Sequence, residues 1–345
     1  MNLTQDFISR VKNILIVGKN NQVGDMICSL PLYAALKKKF PEAKITLVAA
    51  KTNYPVPLKD INPYLDKIIV YNKSSLKSIF NFYRELRKDK YQIGIVTSTF
   101  AYSTTSHIIN YLSGAKIRVG VNSIDGRINN GAKFLNIKKD FFWDKEKKHQ
   151  SERNLDVIRQ IGCDLTPEEI EQTGIILNES DEREANNFIN RHFTDKSKKI
   201  IAVHPGAGKT HNLWNVENFF EVLSRLYNKY ENYVLITCGP MDKEIVNTLT
   251  TKLLENNIEY VIENLPQKQL CAVLKKIDLY ITNDTGTMHL AASSGTKLIG
   301  LFGPTKTYEW APRGKNQDYI QAESGKINDI GVEKVFKLCE KILQK

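Results

Sequence analysis

Among its 345 residues the chain has only five cysteines, Cys28, Cys163, Cys238, Cys271 and Cys339. They are odd in number, widely spaced and form no C-x-x-C pair. That excludes a disulfide framework and a cysteine zinc site and points to a reducing compartment. Residues 1–12 lack the apolar core of a signal peptide. No uninterrupted apolar run approaches the roughly 20 residues of a membrane span. The expectation is a cytoplasmic chain, with at most peripheral contact on the inner face of the cytoplasmic membrane. The glycine fingerprint G-x-G-x-x-G is missing, although Gly18 and Gly24 flank the first loop, so a dinucleotide-dependent oxidoreductase is disfavoured. A P-loop is missing too: Gly206-Ala207-Gly208-Lys209-Thr210 has some of its letters but the wrong glycine spacing. His107, His149, His192 and His211 show no ligand spacing with acids or cysteines, so no metal site is expected. Short-period repeats and low-complexity tracts are absent.

What the chain does have is positive charge. Lys and Arg number 49 against 38 acids, a net charge of +11. Such a balance favours acidic partners, among them phosphorylated substrates and anionic lipid, or reflects nothing more than a Lys-rich surface. No RNA- or DNA-binding signature accompanies it, so no nucleic-acid partner is expected.

Apolar β-like runs alternate with amphipathic stretches in both halves. In the first, strands are expected at 14–18, 45–49, 67–71, 93–97 and 118–121. Helices are expected at 26–40, 75–88, 104–113 and 150–161. Residues 19–25 read as a loop, and 122–148 as loop-rich. In the second half, strands are expected at 199–204, 233–237, 259–262, 279–281 and 297–303, and helices at 216–230, 242–255 and 267–276. Alternation of this kind gives a parallel α/β sheet in each half. The expected domains are 1–178 and 179–330. Residues 331–345 form a C-terminal helix that could pack back on the N-terminal domain.

The most informative stretch is 278–292. An apolar strand, Leu279-Tyr280-Ile281, stops at a polar turn and a small-residue helix starts at once. Its turn offers backbone N–H groups at a helix N-terminus, a ready anion site. In an open parallel sheet, ligands gather at the carboxyl ends of the strands, where this turn lies. A phosphate-bearing ligand is the first hypothesis. Asn283, Asp284, Thr285 and Gly286 make the turn, and His289 falls on the first turn of the helix, as a ligand contact or a packed side chain. Lys209, after Val203-His204-Pro205, meets phosphate or is simply solvated. In the first half, Gly24 and Asp25 sit between strand and helix. Asp25 is either a helix cap or a general base held ionised by the helix N-terminus.

Asn283-Asp284-Thr285-Gly286-Thr287-Met288-His289-Leu290-Ala291-Ala292, followed by Leu301-Phe302-Gly303-Pro304-Thr305, resembles the donor-site signature of glycosyltransferase family 9, the ADP-heptose:lipopolysaccharide heptosyltransferases and their relatives. Val23-Gly24-Asp25-Met26 with Leu30-Pro31 and Phe40-Pro41, His204-Pro205-Gly206-Ala207, Trp214, Cys238-Gly239-Pro240 and the segment 150–162 fit the same family in the same order. The resemblance implies an α/β GT-B fold, two Rossmann-like parallel-sheet domains facing across a cleft. It implies a metal-independent, inverting transfer without cofactor, from a nucleotide sugar (ADP-heptose as the family donor) to a glycolipid or oligosaccharide acceptor such as lipopolysaccharide core. Asp25 then matches the general base, and Asp284, Thr285, Gly286 and His289 match donor-binding positions, with Gly24 and Lys209 beside them. The family usually carries a phosphate-facing lysine two residues before the tryptophan. Here that position is Asn212, and Lys209 is the lysine of the same loop. The basic first half suits a phosphorylated or Kdo-bearing lipid acceptor.

Two other readings stay open. One is a member of the family that uses another nucleotide sugar; the other is a non-catalytic nucleotide-sugar or glycolipid binding protein, which would have no need of Asp25. A nucleotide-sugar epimerase of similar fold fits the Gly24-Asp25 loop less well.

Overall fold

The computed structural model describes residues 3–18, 22–50, 58–99 and 101–344. Two compact units, Met1–Gly174 and Ile175–Lys345, make up the chain.

Seven strands form the sheet of the first unit: β1 (Asn13–Gly18), β2 (Lys44–Ala50), β3 (Lys67–Tyr71), β4 (Ile93–Thr97), β5 (Ile117–Ile124), β6 (Arg127–Ile128) and β7 (Ile137–Phe141). Their order is β3-β2-β1-β4-β5-β6, with β7 also pairing β5. Ile14, Leu15, Ile16 and Val17 are all buried, because β1 lies at the centre of a parallel sheet covered on both faces. Val17 stands between Val48 and Val96 in register.

The helix Val23–Lys39 begins three residues before the expected start, with Gln22 at its N-cap. Its apolar face carries Met26, Leu30, Tyr33 and Leu36, and Lys37, Lys38 and Lys39 close its negative end. Pro31 sits inside it and lacks an N–H. The helix Gln150–Arg159 packs alongside, with Asn154 Nδ2 donating to the Cys28 carbonyl at 3.3 Å. Lys39 Nζ donates to the Gly162 carbonyl at 2.8 Å, so the two helices run in the same direction.

The loop-rich reading of 122–148 is corrected here. β5 runs on to Ile124, and β6 and β7 follow it. Asp125 and Gly126 both have positive φ, 48° and 80°, and make the tight turn that joins β5 to β6. Asp140 on β7 then accepts from Asn122 Nδ2 and Ser123 Oγ at 2.7 and 2.6 Å. Side-chain bonding of this kind gives a polar stretch strand geometry without an apolar run.

The second unit has six strands: β8 (Ile200–His204), β9 (Tyr233–Thr237), β10 (Tyr260–Glu263), β11 (Leu279–Asn283), β12 (Leu298–Phe302) and β13 (Gln317–Gln321). All are parallel, in the order β10-β9-β8-β11-β12-β13. The polar strand β13 was not expected. It is a half-exposed edge strand that needs no buried run. In the C-terminal helix, Val332–Leu343, Val335, Cys339, Ile342 and Leu343 repeat on one face and join the core of the second unit with Trp214 and Phe219. Among the described residues no two of the five cysteines form a disulfide, and four of them are buried. Among the described residues, no helix is long and apolar enough to cross a membrane.

Both sheets therefore have the doubly wound order in which connections leave two neighbouring central strands in opposite directions. Between β1 and β4, and between β8 and β11, such a sheet opens a crevice at the strands' carboxyl ends.

Candidate active site

In the first unit the crevice edge is formed by the chain leaving β1. Residues 19–21 of the expected loop lie outside the described residues. The chain re-enters at Gln22, whose extended backbone (φ −140°, ψ 162°) makes it the N-cap. Asp25 is the third residue of the helix, half-buried, and Gly24 beside it is buried. The simple cap reading of Asp25 is thereby corrected, because another residue holds the cap position. Its carboxylate sits in the first turn, where the helix dipole favours the ionised form.

In the second unit β8 and β11 deliver two segments to the same edge. His204 ends β8, and the loop 205–209 follows. Asn283 ends β11, is fully buried, and ties the two together. Its Nδ2 donates to the carbonyls of Pro205 (2.8 Å) and Gly206 (3.2 Å), while its Oδ1 accepts from the Trp214 backbone N–H at 3.2 Å. Trp214 itself is a core residue whose indole N–H donates to the Ile330 carbonyl at 3.0 Å. Gly206 is required by close approach: a Cβ there would lie 2.1 Å from Asp242 Oδ1. Asp242 in turn accepts from the Gly239 N–H at 2.6 Å and stands 3.6 Å from His204 Nε2. Burial lowers the pKa of His204.

Asp284 follows Asn283 at the turn. Asn212 Nδ2 donates to its carboxylate at 2.9 Å. Burial raises the Asp284 pKa, while the Thr305 hydroxyl, the charge of Lys209 and the Asn212 amide pull it back. Lys209 itself is exposed, on the loop just before the short 3-10 turn Thr210–Asn212. Asn212 is buried, and among the described residues its Oδ1 has no hydrogen-bond partner.

The helix Gly286–Ser293 begins at once, with Thr285 extended at its N-cap. Among the described residues no side chain caps it; the Thr285 hydroxyl bonds that of Thr287 at 2.7 Å instead. Its first N–H groups are thus left to a ligand or water. His289 lies one turn in, 5% exposed, with its ring edge to Trp310 at 6.4 Å. Burial pushes its pKa down to about 4, so the imidazole is neutral at pH 7. Among the described residues, no group of three or more His, Cys, Asp or Glu is arranged to hold a metal ion.

The second unit thus brings Lys209, Asp284, Thr285, Gly286 and His289 to one strand-end edge. Gly24 and Asp25 occupy the equivalent edge of the first unit's sheet. Asn283 and Thr305 lie within the donor-site signature, but the sequence assigned neither of them a role. A buried polar residue closing an apolar strand was the available signal for Asn283; nothing local marked Thr305 as a partner of Asp284.

The chain is similar to known proteins over most of its length. The family model described as "Glycosyltransferase family 9 (heptosyltransferase)" matches residues 79–339. Lipopolysaccharide heptosyltransferase 3 of Escherichia coli is 22% identical, over 89% of this chain and 88% of its own length. Lipooligosaccharide heptosyltransferase 2 of Campylobacter jejuni is 24% identical, over 84% of this chain and 81% of its own. Among solved structures, the E. coli ADP-heptose lipopolysaccharide heptosyltransferase II superposes with a TM-score of 0.76 at 22% identity, covering 96% of this chain and 98% of that one. Two Rossmann-like sheets of the GT-B kind, an anion-ready helix N-terminus at the second switch point and a match over most of the chain lead to one conclusion: the chain belongs to glycosyltransferase family 9 and is a glycosyltransferase.

Proposed function

We propose that the enzyme transfers heptose, or a related sugar, from an ADP-sugar to a lipopolysaccharide-core or related glycan acceptor, with inversion at the anomeric carbon and without a metal ion. The observation that carries this reading is the Asp284-Thr285 turn with the uncapped N-terminus of helix Gly286–Ser293, tied by Asn283 and Asn212 to the loop that carries Lys209. The names of the relatives supply the sugar and the acceptor class.

In this mechanism the Asp25 carboxylate takes the proton of an acceptor hydroxyl. The hydroxyl oxygen attacks the anomeric carbon on the face opposite the diphosphate. The bond from that carbon to the phosphate oxygen breaks, and its electron pair leaves with ADP. Developing negative charge on the leaving phosphate is met by the N–H groups of the Gly286–Ser293 helix and by Lys209, preorganised donors that need no metal. Asp284, Thr285, His289 and the backbone at Gly24 and Gly286 hold the donor. Localisation follows the substrates: a cytoplasmic enzyme acting at the inner face of the cytoplasmic membrane.

The test is direct. Purified enzyme is incubated with ADP-heptose and a heptose-acceptor core glycan, and product is read by mass spectrometry and anomeric NMR. Heptosylated acceptor with inverted configuration and free ADP is expected. Transfer from a different nucleotide sugar, with ADP-heptose inert, would move the assignment to the second reading. That reading is favoured by Asn212. Its amide can both donate and accept, and its buried Oδ1 has no partner among the described residues, whereas a lysine there could only donate and would add a positive charge.

A further inference from the structure

We propose that the face built on helix Leu76–Leu86 of the first unit is a docking surface for an anionic lipid bilayer. That helix has its inward face already: Phe82 and Leu86 are buried in a cluster with Leu15, Val17, Ile69 and Tyr91. Leu76 and Phe80, one turn apart, are not needed for it and are 86% and 67% exposed. Beside them a groove of about 460 Å³ is lined by Phe80, Tyr83, Arg84, Arg87, Lys88 and Leu112. Apolar floor and cationic rim occur together, and Arg87 Nε is anchored to the Leu112 carbonyl at 3.2 Å.

Charge decides the partner. Residues 73–90 hold six basic side chains against two acidic ones. Both acids are already engaged: Glu85 with Lys67 and Lys88 at 2.8 and 2.6 Å, and Asp89 with Lys67 at 2.8 Å. Lys73, Lys77, Arg84 and Arg87 hold no ion pair among the described residues. A surface of aliphatic and aromatic side chains ringed by unpaired cations matches a bilayer rich in anionic headgroups. Phosphates meet the Arg and Lys heads, and Leu76 and Phe80 enter the boundary between headgroups and acyl chains. No nucleic-acid-reading element accompanies the face. With no membrane-spanning helix among the described residues, attachment through this face is peripheral. The inference rests on the lipid-glycan acceptor reading for its purpose, since an acceptor embedded in a bilayer is reached by an enzyme held against it.

The experiment reads binding alone, so a failed transfer assay and a failed docking surface are told apart. The full-length protein is sedimented with vesicles of phosphatidylcholine, with and without phosphatidylglycerol, at low and high salt. Binding is expected only with phosphatidylglycerol and should fall as salt rises. L76S/F80S and R84E/R87E should each weaken it by at least ~tenfold, with circular dichroism and melting temperature unchanged. Equal binding to neutral vesicles, no binding to either, or full binding by both variants would overturn the proposal.

Discussion

The Asn212 amide donates to the Asp284 carboxylate at 2.9 Å, joining the two segments that β8 and β11 deliver to the second switch point. The bond sits where the family usually carries a phosphate-facing lysine. Lys209, on the same loop, is one of the charges that act on Asp284, with His211 beside it. We propose that Lys209 takes the charge role that the family resemblance assigns to position 212, where a buried amide stands instead.

This division of labour predicts the loop's response to substitution. Lys209→Ala should weaken donor binding by on the order of tenfold, about 1.4 kcal/mol, in calorimetric titration with the nucleotide sugar. Lys252→Ala, on an exposed ion pair with Glu217, serves as the control and should change little. Equal effects would remove Lys209 from the donor site.

At the turn, Asp284→Ala should weaken donor affinity while the protein stays folded. His289→Ala also removes a buried ring, so it should lower the melting temperature as well as donor affinity. Unchanged affinity in both variants would take this turn out of the site.

Asp25→Asn keeps side-chain size and leaves the N-cap at Gln22 untouched. Turnover should fall by on the order of a hundredfold or more, while donor affinity holds, as for loss of a positioned base. Near-normal turnover would leave the proposed mechanism without its base.

Transfer should persist in excess EDTA, because helix N–H groups and Lys209 are assigned the leaving phosphate. Activity abolished by chelator and restored by magnesium or manganese would replace that assignment with a metal.

Acid should destabilise the fold through His289. Its folded pKa, about 4, lies below the ordinary histidine value of 6.5, so the unfolded chain binds the proton first. The contribution is present above pH 6.5 and lost as pH falls toward 4, at most about 3 kcal/mol. Asp284, whose pKa is raised, works in the opposite direction. Denaturant unfolding of wild type and His289→Leu between pH 7 and pH 4 checks it; a parallel pH dependence in both would exonerate this histidine.

Local chemistry sufficed for much of the molecule. The apolar run at β11, the turn at Asp284 and the small residues after it mark a strand, a turn and a helix by residue type and spacing, although the backbone bonds of the strand are completed only by β8 and β12. Apolar runs also located β1, β4, β8 and β12, which are buried on both faces. Strand β7 and edge strand β13 escaped notice because polar side chains and neighbouring strands, not a buried run, hold them in place. The Asp125-Gly126 dipeptide becomes a hairpin turn only through the pairing of its flanking strands, which the loop-rich reading of 122–148 did not foresee.

By itself, then, the sequence determined the alternation of elements, the strand-end motifs and the family they resemble, since these depend on residue type and spacing along the chain. Tertiary structure alone decided the strand order that creates two switch points and the core that receives helix Val332–Leu343. It also decided the bonds from Asn283 to the Pro205 and Gly206 carbonyls and from Asn212 to Asp284. Those contacts join residues more than seventy positions apart, and no local spacing encodes which buried donor will find which carbonyl or carboxylate once the sheet has closed.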